Sequence, residues 1–370
     1  MPQFSAYVGL DVHKKSIVLA YTSAGLDHEG QSLGSVPNDY TRLKAKLLKL
    51  GVPKEIKICY EAGPTGYGLY RALIQDGFTC EVVAPAKTPK MASDRVKTDK
   101  RDARKLAVFL RSGHLTAIRV PTREEEGLRD LLRVREVTKK EATNLKRRIK
   151  SLLLRQGRET DKTRWTKGHR EWLRKQRFEE RGTQLGYETL LEELNAREAT
   201  VARLEADIAA VVKPMKAYDL IRALQAYKGI KLLTAATIVA ELGDLRRFPS
   251  AGKLMSFLGM TPGEHSSGER QVRGAITRAG NGRLRRLIVE AAWAYWRSPH
   301  VGKDLAARSA GITPKIRQMS WAAQKRLNRR LHRLNKSGKP AQKALIAVAR
   351  ELAGCIWAVG QETDLVESRM

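Results

Sequence analysis

Apolar and polar positions alternate in short runs over the first 120 residues. The runs AYVGLDVHK (6–14), SIVLAYTSAG (16–25) and GQSLGSVPN (30–38) are β-rich and separated by short breaks, which predicts three strands in an antiparallel meander. DYTRLKAKLLKLG (39–51) has leucines at helical spacing and closes on a glycine, as a helix end does. EIKICYEAG (55–63) reads as a strand, TGYGLYRALIQDG (65–77) as a helix, TCEVVAP (79–85) as a strand and KTDKRDARKLAVFLRSG (97–113) as a helix. Three strands, then helix, strand, helix, strand, helix, is the order of an RNase H-like domain.

The period changes after residue 121. Leu131, Arg135, Thr138, Ala142, Leu145, Ile149 and Leu152 advance in steps of three and four, and so do Leu190, Leu194, Arg197, Val201, Leu204, Ile208 and Val211. These imperfect heptads predict two long helices, forming either an antiparallel hairpin or a dimeric coiled coil. The charged stretch between them carries two tryptophans and suits a helix tip, a nucleic-acid contact or a solvated connector. From residue 214 the pattern is mostly helical. LQAYKGIKLLTAATIVAELGDLRRF (224–248) has the form of a helix–hairpin–helix, a device that holds a backbone phosphate on turn amides, and equally of an ordinary αα-hairpin. The expected fold class is α/β plus all-α. An RNase H-like domain spans 1–121, central coiled-coil helices span 122–213, and a mostly helical domain with a basic tail spans 214–370.

Charge changes the picture from fold to partner. The chain has 370 residues with 70 Lys+Arg against 39 Asp+Glu, a net charge of +31. An excess of this size implies a polyanionic partner, with nucleic acid first. No apolar run approaches the roughly 18–20 residues of a spanning helix, and no signal peptide opens the chain. Three widely spaced cysteines, Cys59, Cys80 and Cys355, give neither a metal pattern nor a disulfide framework, which fits a reducing, cytoplasmic setting.

Four acids suit one site. Asp11 lies inside the apolar run of the first strand, where a lone carboxylate is costly. Glu61 ends the strand that neighbours it in an RNase H-like sheet. Asp99 and Asp102 are three apart and share a helix face. Oxygen-only clusters of this kind hold Mg²⁺, and two ions about 4 Å apart clamp the attacking and leaving oxygens of a phosphodiester. The plain alternatives are satisfied polar residues at strand ends for Asp11 and Glu61, and a solvated helix start paired with Lys100 and Arg101 for Asp99 and Asp102. His13 stands beside the first strand and is left out of the metal set.

The segment PGEHSSGERQVRGAITRAGNGRLRR (262–286) places Ser266 and Ser267 ahead of Arg270, Arg273, Arg278, Arg283, Arg285 and Arg286. Guanidinium forks bind phosphate oxygens in pairs, so these arginines are candidate nucleic-acid-binding residues. A serine hydroxyl is a poor nucleophile without activation, and spacing alone leaves open whether the serine pair reacts or merely turns.

GLDVHKKSIVLA, YEAGPTGYGLYRAL, VVAPAKTPKMASDRVKTDKRDARKLA and the long stretch from YKGIKLLTAATIVAEL to RRLIVEAAW together resemble the DEDD-type insertion-sequence transposases, relatives of the Piv/MooV DNA invertases. The resemblance covers residues 6–120 and about 220–300. It implies a RuvC-like domain whose Asp, Glu, Asp, Asp set falls on Asp11, Glu61, Asp99 and Asp102, binding Mg²⁺ or Mn²⁺. It implies a serine nucleophile beside a glycine, Ser267 here, with Ser266 as the fallback. It further implies DNA strand exchange through a phosphoserine link, DNA ends and target as substrates, a structured non-coding RNA as guide, a homo-oligomer (dimer or tetramer) without a membrane, and a cytoplasmic, nucleoid-associated setting in bacteria. The rival expectations are a RuvC-like nuclease without serine chemistry and a non-catalytic nucleic-acid-binding protein.

Overall fold

In a computed structural model, which describes residues 4–24, 30–89, 98–160, 165–264 and 273–363, five strands of the N-terminal region form one sheet. They are β1 (Ala6–Val12), β2 (Ser16–Ser23), β3 (Gln31–Pro37), β4 (Ile56–Glu61) and β5 (Thr79–Val83), in the order β3-β2-β1-β4-β5. The first three form an antiparallel meander, while β4 and β5 lie parallel to β1. The mixture follows from the connections. The antiparallel neighbours follow one another directly along the chain, whereas α1 (Tyr40–Leu47) and α2 (Gly68–Gln75) carry it back for the parallel pairs. This is the predicted order, strand for strand. Val8, Leu10, Ile17, Leu19, Ile58, Tyr60 and Val82 fill one face and pack under Leu43, Leu47 and Leu73 of α1 and α2. The opposite face takes α3 (Asp99–Arg111) through Leu106 and Leu110 against Cys59 and Val83. Cys59 and Cys80 are core hydrophobes, and burial pushes the Cys80 thiol up to about 12.

The chain divides into two compact units, Met1–Val120 and Pro121–Met370. The second unit opens with α4 (Arg123–Arg155), started by a capping box in which Thr122 and Glu125 satisfy each other's backbone amides. It pairs with α6 (Arg181–Val212), and the ion pairs Arg135–Glu205 and Arg197–Glu141 (3.3 Å) run in opposite chain directions, so the two form an antiparallel hairpin within one chain. α5 (Lys167–Lys175) closes its far end, where Leu173 and Tyr187 pack on Ile149 and Leu153.

At the near end Leu128, Leu132, Ile208 and Val212 enter the core of the C-terminal helices. These are α7 (Tyr218–Leu224), α8 (Leu232–Leu242), α9 (Ala251–Phe257), α10 (Gly282–Ala292), α11 (Lys303–Ser309), α12 (Pro314–Lys336) and α13 (Ala341–Glu362), with a two-stranded ribbon of β6 (Pro262–Glu264) and β7 (Arg273–Ile276) between α9 and α10. The sequence gives no sign of a spanning helix, yet α13 is long and apolar enough by composition to cross a membrane. Its Leu345, Val348, Leu352, Ile356 and Val359 are buried in this core, which accounts for the composition.

Gly9 sets how α3 sits on the sheet. A Cβ at this position would lie 2.2 Å from the Ala103 carbonyl oxygen and 2.5 Å from the Ala107 nitrogen. Both are backbone atoms and cannot swing aside, so any side chain here lifts the helix off β1. Ala103 is itself fully buried against Val18 and Ala20 of β2, which keeps the approach close along its width. Gly9→Ala is therefore expected to cost about 1–3 kcal/mol or more, the usual range for overpacking a dense core. Urea denaturation checks this, and a variant as stable as wild type would contradict the packing argument.

Candidate active site

Residues alternate across a strand, so Gly9 and Asp11 share the face that α3 covers. Gly9 lies under the body of the helix and Asp11 faces its first turn. α3 begins at Thr98, whose side chain accepts from the Arg101 amide, and Asp99 and Asp102 occupy the first turn. Carboxylates are favoured there by the helix dipole and the unpaired amides. The fold thus brings acids from a strand end and a helix start to one place.

The closest group is Asp11, His13 and Asp99, whose candidate ligand atoms all lie within 4.8 Å of one another. His13 Nε2 is 3.2 Å from Asp11 Oδ2 and 3.4 Å from Asp99 Oδ2. Asp102 is near enough for its charge to act on Asp11. The register pairs Leu10 with Tyr60, so Glu61, one residue on, lies beside Asp11 at the end of the neighbouring parallel strand. Thr88 Oγ1 donates to Glu61 Oε1 at 2.8 Å and holds that carboxylate. Among the described residues the close group includes neither Glu61 nor Asp102. It does include His13, which the sequence reading left out. The signal was available: two residues after Asp11 on an extended chain, a side chain returns to the same face.

The donor set fits a divalent cation. Burial first, and then the charges of Asp99 and Asp102, push the Asp11 carboxyl above its ordinary range, while His13 opposes them. Carboxylates held together at this cost are stabilised by a positive charge among them. Asp11, Asp99 and His13 would be its nearest donors, with Glu61 and Asp102 beside them.

The second candidate set lies in the other unit. Ser266, Ser267 and Arg270 lie outside the described residues, and for Arg273 only the backbone is described, in β7. The ribbon's base is tightly held. Gly259 and Gly280 both have positive φ, and a Cβ on either would meet a backbone oxygen at 2.0 Å. Arg278 is exposed at that turn with φ of 55°, and its amide donates to Gly259 O at 3.1 Å. Arg285 donates to the carbonyls of Leu258 (2.9 Å) and Ala279 (3.2 Å) and so ties α9 to the turn. Arg283 pairs with Glu136 at 2.6 Å and donates to the Leu132 carbonyl at 3.1 Å. Arg286 also pairs with Glu136 but stays half exposed. Glu241, which also accepts from Asn281 at 3.0 Å, lies 3.7 Å from Arg283. Spacing alone gives no sign that Glu136 and Glu241 engage these arginines, because they lie far away in sequence.

Since the folded protein binds the Asp11 proton more tightly than the unfolded chain, the ionised carboxyl weakens the fold above its raised pKa. The penalty fades as pH falls towards the ordinary carboxyl value of 3.8. Without metal, Asp11→Asn should melt above wild type at neutral pH, with the gap closing in acid. Mg²⁺ should then raise the midpoint of wild type and not of the variant. Calorimetric melts across pH check both, and a variant that melts lower at neutral pH contradicts the assignment.

Residues 8–156 match the DEDD-type family named for insertion sequence IS110 and described as Transposase, and residues 221–307 match the Transposase IS116/IS110/IS902 family. The first match spans all four acids, and the second spans the serine pair and the six arginines. The putative transposase y4qE of Sinorhizobium fredii is 37% identical over 359 residues, covering 96% of this chain and 89% of that protein. The transposase for insertion sequence element IS1533 of Leptospira borgpetersenii is 29% identical over 347 residues, covering 92% and 98%. The transposase for IS1111A of Coxiella burnetii is 24% identical over 368 residues, covering 95% and 88%. A DEDD domain implies use of divalent metal, and transposases cleave and rejoin DNA. With both family matches in order and a relative of this identity along nearly its whole length, the chain belongs to the IS110/IS116 family of insertion-sequence transposases.

Proposed function

We propose that this transposase exchanges DNA strands through a phosphoserine link formed by Ser267, with Ser266 as the fallback, and that Asp11, Glu61, Asp99 and Asp102 hold Mg²⁺ or Mn²⁺ for that chemistry. The observation that carries the reading is the half-buried Asp11 carboxyl, kept within ligand distance of Asp99 and His13 by the docking of α3. A divalent ion bound there would supply positive charge to the oxygens of a phosphodiester. Thr88 fixes the Glu61 carboxylate for the same task. His13 adds a nitrogen donor, which shifts the set away from Mg²⁺ and towards first-row transition-metal ions.

In the proposed chemistry the Ser267 oxygen bonds to phosphorus as one bridging P–O bond breaks. The serine proton is lost to solvent base, and the departing oxygen leaves as a hydroxyl. A hydroxyl from a second strand then attacks the phosphoserine, which restores a phosphodiester and frees the serine. Bond types are conserved, so no external energy source is required. Arg278 and Arg286, both exposed, join Arg270 and Arg273 as the proposed phosphate grip, and Arg283 and Arg285 hold the turn ahead of α10.

The reading extends to three further features. The chain acts as a dimer or tetramer, supported by the exposed Val134 and Val137 on the hairpin helix α4. It takes a structured RNA encoded by its element as guide, supported by a net charge of +31 that suits RNA as well as DNA. It works in the cytoplasm, associated with the nucleoid. Residues 1–121, 122–213 and 214–370 serve as metal-binding, hairpin and serine-bearing modules.

A RuvC-like nuclease is the second reading, because all four acids belong to one unit and metal-activated water needs no serine. Ser267→Ala distinguishes the two. The serine reading expects loss of recombination and of the covalent protein–DNA adduct, by at least 10³-fold as for removal of other nucleophiles. Recombination at wild-type rate by both Ser267→Ala and Ser266→Ala variants would refute it. Asp11→Ala should abolish strand exchange while leaving DNA binding intact.

A further inference from the structure

Helix α12 carries eight Lys and Arg and no acid. Glu351 of α13 pairs with Arg326 (3.2 Å) and Arg330, and Glu362 pairs with Lys315 (2.5 Å). That leaves Arg317, Lys325, Arg329, Arg333 and Lys336 without an acid partner among the described residues. Arg326, Arg329, Arg330 and Arg333 line one groove with Glu351. Five uncompensated cations on one helix call for an anion.

Beside them the protein exposes its largest apolar side chains. Three of the chain's six tryptophans lie here: Trp293 is 50% exposed, Trp296 38% and Trp321 37%. Trp321, Lys325, Asn328 and His332 recur at four- and three-residue steps and form one stripe of α12. The short turn Trp293–Trp296 lies on the lower part of that stripe. Asn328 Nδ2 donates to Tyr295 O at 2.8 Å, His332 Nε2 lies 3.0 Å from Trp296 O, and the Trp296 and His332 rings are 5.8 Å apart. Trp293 follows at 6.2 Å from Trp296. Lys325 lies over the Trp321 ring at 5.6 Å. From Trp321 to His332 is about 16 Å along the helix, a span of several nucleotides.

We propose that this face of α12 holds an unpaired DNA strand, with bases stacked on Trp293, Trp296 and Trp321 and phosphates on Lys325, Arg329 and Arg333. Double-stranded DNA keeps its base faces covered, so a duplex makes use of the cations alone. Exposed rings interleaved with cations serve a strand whose bases are free. An enzyme that cuts and rejoins DNA produces such strands at the moment of exchange, which is why DNA is the committed occupant. The proposal rests on the reading that strands are opened, but not on Ser267: the Ser267→Ala protein should bind the strand as wild type does, so failure of the serine chemistry leaves this test intact.

The test uses the full-length protein with oligo-dT, a duplex of equal length and oligo-U, followed by anisotropy and tryptophan fluorescence. Oligo-dT should quench the fluorescence. Trp293→Ala and Trp321→Ala should each weaken its binding by roughly ten-fold, as for loss of one stacked base, while Trp→Phe at the same positions retains most of the affinity. The duplex should bind these variants as it binds wild type. Replacing both Arg329 and Arg333 with Gln should lower the single-strand salt slope by about 1.4, about 0.7 for each phosphate. Folded Trp→Ala variants that bind oligo-dT unchanged would overturn the proposal. So would oligo-U bound more tightly than oligo-dT through the same tryptophans, which assigns the face to RNA. Loss of self-association by the same variants, seen by sedimentation, would assign it to a protein interface and overturn it as well.

Discussion

The backbone of α3 rests directly on the backbone of β1, because residue 9 has no side chain. The spacing leaves no room for a methyl group: the Ala103 carbonyl oxygen and the Ala107 nitrogen occupy its place. The cluster of Asp11, His13 and Asp99 follows from that contact. With the helix seated this low, its first turn reaches the strand end, and Asp99 comes close enough to Asp11 for both to approach His13. Asp11 bears the electrostatic cost, its carboxyl pushed up by burial and by two neighbouring charges. A cation at the proposed site would relieve that cost, so a contact between two backbones decides whether the acids meet at all.

The second unit uses its many cations in two ways, and the structure separates them. Glu241 is nearly buried and takes Arg133 at 3.4 Å and Arg283 at 3.7 Å, while Glu136 takes Arg283 and Arg286. Breaking one side of such a network leaves an uncompensated charge in a poorly solvated place. Arg283 acts as a tie between the hairpin base and the start of α10, while Arg286 stays half exposed beside it. On α12, Arg317, Arg326, Arg329 and Arg333 lie outside that network and are exposed, while Arg330 is half-buried against Glu351. A single net charge conceals this division between paired and exposed cations.

Much of the first unit was legible in the sequence because each signal was local. Strand alternation, leucines at helical spacing and terminal glycines gave the order of elements, and the order gave the sheet. Asp11 stood out because an acid inside VGLDV has no place in an apolar core without a task. His13 was passed over because a lone histidine is a weak signal, and the face it shares with Asp11 becomes a site only when the first turn of α3 arrives beside it. The central helices were legible as a pair, and their ion pairs select the hairpin within the chain. Arg283 and Arg285 read as phosphate ligands because their partners, Glu136 and the carbonyls of Leu258 and Ala279, are set by tertiary packing that spacing does not reveal. The apolar α13 looked like no special helix in sequence and is a core helix in the fold.

The central claim is that the strand-end acids, gathered by the docking of α3, form a site for a divalent cation. Crystals of the protein soaked in Mn²⁺ and measured at the manganese absorption edge test it directly. The account predicts an anomalous peak within coordination distance of Asp11 and Asp99, with His13 or Glu61 beside it. A map with no peak at these carboxylates, in crystals where Mn²⁺ is bound elsewhere, would contradict it.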